Sequence, residues 1–140
     1  MLVIEDKAGG VYKTFLPKDN HFVLGYIHSV LLTPADEYFY ITEQNTLLLQ
    51  KTIYESFGVG LPYEQINDSD FEIVDGKFIL YIEREMPSLN MIISPIPKHT
   101  ITVNNELINI IEFLNDKTVS IKIYVIEKNV FEIGNYHIIL

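Results

Sequence analysis

From Thr118 to Val125 the chain alternates without a break, setting Val119, Ile121, Ile123 and Val125 against Thr118, Ser120, Lys122 and Tyr124. A period of two belongs to a strand, whose side chains point to opposite faces in turn. Four large apolar groups on one face need a covering layer, because each one left in water costs roughly 1.5–3 kcal/mol. Comparable runs rich in Ile, Val, Thr, Tyr and Phe recur along the chain, separated by turn residues. They predict an all-β fold of about nine to eleven short strands, an antiparallel β-sandwich or a partly open flattened barrel.

The runs differ in kind. Leu2 to Glu5 and Val11 to Leu16 flank Ala8-Gly9-Gly10, a hairpin turn in which glycine accepts positive φ. Phe22 to Leu31 is apolar on both faces, with Phe22, Leu24 and Tyr26 on one and Val23, Ile27 and Leu31 on the other, as in a central strand. Pro34 lacks an N–H and is expected to end that strand, with a new one over Glu37 to Thr42 and another over Leu47 to Phe57. Val74-Asp75-Gly76-Lys77 is a strong hairpin signal and Val103-Asn104-Asn105-Glu106 a second. Leu89 to Ile93, bracketed by Pro87 and Pro95, reads as a short edge strand. Leu107, Ile110, Ile111 and Leu114 fall at helical spacing, so Leu107 to Asn115 is the one place for a short helix of a turn or two. Val130 to Leu140 reads as one further strand.

The chain has 140 residues, which suits one domain over 1–140 with an ordinary core. It lacks cysteine, which removes disulfides, thiolate metal sites and a cysteine nucleophile. A formal net charge of −9 opposes phosphate backbones and anionic lipid surfaces, so no nucleic-acid partner is expected. No run approaches the roughly 18 apolar residues of a membrane span. Acids interrupt Met1 to Asp6 too early for a signal peptide.

The residues most suggestive of chemistry lie between Tyr26 and Glu37. His28 and Ser29 are neighbours on a strand and point to opposite faces, which disfavours a dyad made from this pair. Glu37, just past Thr33-Pro34, is placed to fold back beside His28. An imidazole–carboxylate pair there would hold a proton or a divalent metal, or would simply lock the corner through hydrogen bonds. His21, His99 and His137 have no ligand spacing, and no metal or cofactor is expected. Asn67-Asp68-Ser69-Asp70 lacks the ligand spacing of a calcium loop and reads as a solvated turn. Phe57-Gly58-Val59-Gly60-Leu61-Pro62 has no following Lys and opens no helix, so it is no phosphate loop. Its glycines suit a tight sheet corner plugged by Leu61.

The order and separation of these two runs resemble the family catalogued as domain of unknown function 1850, an uncharacterised bacterial domain. The matching positions are His28, Ser29, Val30, Pro34, Glu37, Gly58, Gly60, Leu61 and Pro62, and the stretches Ser94-Pro95 to His99, Ile101 to Val103 and Leu107 to Ile110 are also similar. The likeness runs from about Phe22 to Val125. Leu31-Leu32 stand where the family often carries charges, and Val130 to Leu140 is an addition. The resemblance implies an extracytoplasmic accessory or binding domain, encoded beside TAXI-type tripartite ATP-independent periplasmic transporters, with a solute-binding or permease component as partner. It also implies a leader or anchor, so this chain is expected to be a trimmed form. It implies no activity. Three functions remain open: such a binding domain, a hydrolase or metal-dependent enzyme using His28 and Glu37, and a purely structural or interaction domain. The first is preferred because no catalytic constellation is assembled in the sequence.

Overall fold

Alternation along the chain does become strands. The computed structural model describes residues 1–6, 12–27, 33–55, 70–93, 98–114, 120–127, 130–133 and 136–139. Among them are thirteen strands: β1 (Leu2–Asp6), β2 (Tyr12–Phe15), β3 (His21–Ile27), β4 (Pro34–Ile41), β5 (Leu47–Tyr54), β6 (Phe71–Val74), β7 (Lys77–Met86), β8 (Ser88–Ile92), β9 (Thr100–Val103), β10 (Glu106–Asn109), β11 (Ser120–Val125), β12 (Val130–Ile133) and β13 (Tyr136–Ile139). One sheet has the order β2-β1-β11-β8, a second β10-β9-β3-β4-β5-β7-β6, and β12 and β13 form a two-stranded third. Every pairing is antiparallel. Among the described residues the two large sheets do not close into a barrel, and the fold is an all-β sandwich.

The core lies between these two sheets. Phe22, Leu24, Phe39, Ile41, Leu47, Leu49, Ile101 and Val103 face inward from the larger one, and Leu2, Ile4, Ile121 and Ile123 meet them from the smaller one. Phe22 and Phe39 stack across β3 and β4 with centroids 5.0 Å apart. The alternation in β11 therefore faces the core as expected: Ile121 and Ile123 are fully buried and Val125 packs against the cluster. Val119 lies outside the described residues. β3 is central, between β9 and β4, and β8 is an edge strand.

Both sequence-predicted hairpins form through left-handed turn residues, Asp75 and Gly76 in one and Asn104 and Asn105 in the other. Their positive φ angles match the right-handed twist of the paired strands. The Ala8-Gly9-Gly10 turn itself lies outside the described residues, while β1 and β2 on either side of it do pair.

Four expectations need correction. Pro34 begins β4 instead of separating two strands, because the first residue of a strand can lack an N–H donor. Leu107 to Asn109 continue β10, and only Ile110–Phe113 turn as a 3-10 helix. The Asn104-Asn105 turn sets a register in which Leu107 opposes Thr102 and Ile108 opposes Ile101, so ladder pairing overrides the helical spacing. The residues after Val130 make two paired strands, not one. The strand total, thirteen, also exceeds the expected number.

Candidate functional site

The inner face of the larger sheet carries a polar group of residues on β3, β4 and β5. Tyr26 opposes Ala35, and Ala35 opposes Tyr54, so the three share a row and a face. Glu37 is two residues further along β4, opposite Leu24 on one side and Thr52 on the other. Ala35 is buried and small, which leaves space above it for the two phenol rings to converge. Tyr26 is hydrogen-bonded to both Tyr54 and Glu37. An ionised carboxylate only accepts, so Tyr26 donates its single proton to Glu37. His99, just before β9, completes the row, its ring centroid 6.1 Å from that of Tyr26.

Burial governs the chemistry of this corner. It pushes the Glu37 carboxyl above the ordinary carboxylate range, and the Tyr26 hydrogen bond offsets part of the rise. Tyr26 is held far above the usual phenol value, first by burial and then by the charge of Glu37. Tyr54 is raised for the same two reasons. Burial lowers the His99 imidazole, which is therefore neutral at pH 7. Among the described residues its Nδ1 is buried without a hydrogen-bond partner, as is the Thr33 hydroxyl just before β4. An unpaired buried polar atom carries its full desolvation cost, about 1–3 kcal/mol. The corner thus holds one proton-bridged carboxylate and two polar atoms with unused bonding capacity.

The opposite face of the same strands carries a second half-buried carboxylate. Asp36 opposes Gly25, which in turn opposes Thr100. A Cβ at position 25 would lie 2.5 Å from Thr100 Oγ1 and 2.9 Å from Asp36 Oδ1, so the missing side chain is what lets both lean over the backbone. Burial and the charge of Glu55 raise the Asp36 carboxyl, with Lys77 opposing them. Two carboxylates adjacent in sequence are therefore both desolvated, on opposite faces of β4.

Of the residues singled out from the sequence, Pro34 and Glu37 are described. Pro34 pairs with Ile27, and Glu37 sits three pairs deeper in that ladder. The partner it meets is Tyr26. His28, Ser29, Gly58, Gly60, Leu61 and Pro62 lie outside the described residues. Sequence reasoning missed Tyr26 as a polar partner, counting it with the core face of β3, missed Tyr54 altogether, and set His99 aside because it had no ligand spacing. The readable signal was a tyrosine near the end of each of two strands, on the face that turns to the core. Among the described residues, no three His, Asp or Glu side chains stand together as a metal site. No described helix is long and apolar enough to cross a membrane.

Comparison with curated proteins and with solved structures finds no match. A family model does match, over residues 22–110. That stretch contains nearly all of the larger sheet, with Tyr26, Glu37, Tyr54 and His99 inside it. The match spans well over half of the chain, and the protein belongs to the family described as domain of unknown function (DUF1850).

Proposed function

We propose that the chain is a non-catalytic binding or accessory domain working outside the cytoplasm beside TAXI-type solute uptake, with the Tyr26–Glu37–Tyr54 corner as its contact site. The observation that carries this reading is the unused bonding capacity of the corner, where Thr33 Oγ1 and His99 Nδ1 lie buried without partners among the described residues and Tyr26 bonds the Glu37 carboxylate. A polar partner that bonded these atoms would regain what their burial costs. The transporter association rests on family membership and the gene setting it implies. Thermal-shift screening of the purified chain against small organic acids and amino acids, with pull-down of TAXI-type binding proteins and permeases, tests it. A ligand or partner whose effect disappears in Glu37→Gln, with the fold retained, supports the reading. A cytosolic location for the native product would overturn it.

A second reading, a hydrolase or metal-dependent enzyme using His28 and Glu37, is favoured by one observation. Glu37, its carboxyl raised by burial, and the neutral imidazole of His99 both neighbour Tyr26, a pairing suited to general acid–base chemistry with His99 in place of His28, which lies outside the described residues. Metal analysis of protein purified without chelator, together with an esterase and phosphatase panel, separates it from the first.

A further inference from the structure

One flank of the sandwich is open along a single bent ribbon. β6 pairs only with Lys77 to Leu80 of β7, so among the described residues the rest of β7, from Tyr81 to Met86, has no neighbour on that side. The chain then passes Pro87 into β8, which among the described residues is the edge of the other sheet. The two halves of this ribbon differ in character. Glu83, Arg84 and Glu85 guard the β7 half, whereas Ser88-Leu89-Asn90-Met91-Ile92 has no charge at all. The other edge strands of the two large sheets each carry one: Lys13 in β2, Glu72 in β6 and Glu106 in β10. Charges on edge strands normally prevent another chain from pairing there. β8 lacks this guard, and its Ile92 is 79% exposed.

We propose that β8 is a self-association edge, at which two copies of the chain pair antiparallel about a two-fold axis through Asn90. A second copy is the occupant that the charges favour. In a chain of net charge −9, an uncharged edge lets two copies meet without setting like charges in register. Register supports the same geometry. Leu89 and Met91 oppose Ile123 and Ile121 and so face the core, while Ser88, Asn90 and Ile92 point outward. Opposed residues in an antiparallel pair share a face, so the axis must pass through a residue and not between two. Through Asn90 it pairs all five positions: Leu89 with Met91 across the seam on the core side, Ile92 with Ser88 on the outer side, and Asn90 with its own copy. The product is a continuous eight-stranded sheet with closed two-fold symmetry.

Sedimentation velocity on the full chain over a concentration series tests this directly. The expected result is a monomer–dimer equilibrium that tightens as salt is raised, because screening relieves repulsion between two acidic bodies. Asn90→Asp sets two carboxylates face to face at the axis and should return the protein to monomer at neutral pH. Asn90→Lys should do the same. Mixing these two variants should restore a dimer, which only pairing of position 90 with itself predicts. Circular dichroism spectra of both variants should match the parent, since Asn90 is exposed, while only the parent's melting temperature should rise with protein concentration. A parent chain that stays monomeric at every concentration overturns the proposal. So does a dimer untouched by both Asn90 variants, or a β8 edge that takes only a strand from a different protein.

Discussion

An alanine at position 25 would force Thr100 and Asp36 apart, because its Cβ has no room between their oxygens. Thr100 is β-branched and stiff, so Gly25→Ala should cost about 1–3 kcal/mol in a denaturant melt. Thr100→Ala in the same background should recover part of that loss. On the other face of β4, Tyr26→Phe removes the donor that holds Glu37 and leaves a half-buried carboxylate short of a bond. The expected cost is again about 1–3 kcal/mol. The pH dependence follows from the direction of the shifts. Glu37 and Asp36 both have folded-state values raised by burial, so the native state binds their protons more tightly than the unfolded chain. Their contribution to stability is full below the ordinary carboxylate value and is lost as pH rises through the raised folded values. The melting temperature of the parent should therefore gain from these two groups as the solution goes from neutral to mildly acidic. Glu37→Gln should flatten its share of that gain.

Strands and hairpins were legible where local chemistry and pairing agree. Asp75-Gly76 and Asn104-Asn105 carry their turn geometry in the residue types themselves, and both turns have the expected positive φ. Gly76 has open space where a Cβ would be, so its role is purely conformational. Gly76→Ala should cost about 1 kcal/mol, seen as a lower denaturant midpoint with unchanged slope. Legibility failed where pairing at a distance decides. The helical spacing after Leu107 is real in the sequence and loses to the ladder with β9. The site was half legible for the same reason. Glu37 could be found from its place after Pro34, but its partners depend on the register across β3, β4 and β5. That register is shifted by a bulge between Leu49 and Lys51, which no local pattern announces. Tyr54 reaches Ala35 only because of it.

At the scale of the whole molecule, the all-β sandwich followed from apolar alternation, since a one-sided sheet of this hydrophobicity needs a second layer. What alternation could not give is which strands supply that layer. β1 comes from the first residues of the sequence and β11 from beyond residue 119, and they pair with each other along their whole length. The family-matched stretch, 22–110, therefore holds the larger sheet but neither β1 nor β11. A chain cut after residue 118 should lack a cooperative melting transition, because Leu2 and Ile4 lose the strand that fastens them over the core. During synthesis the same dependence acts in time. The ribosome releases β1 and its neighbour β2 long before β11, so the other side of β1 stays unpaired while more than a hundred residues follow. Closure is then one long-range event with a large loop to pull in, which makes folding slow and leaves a window in which the polypeptide is still threadable.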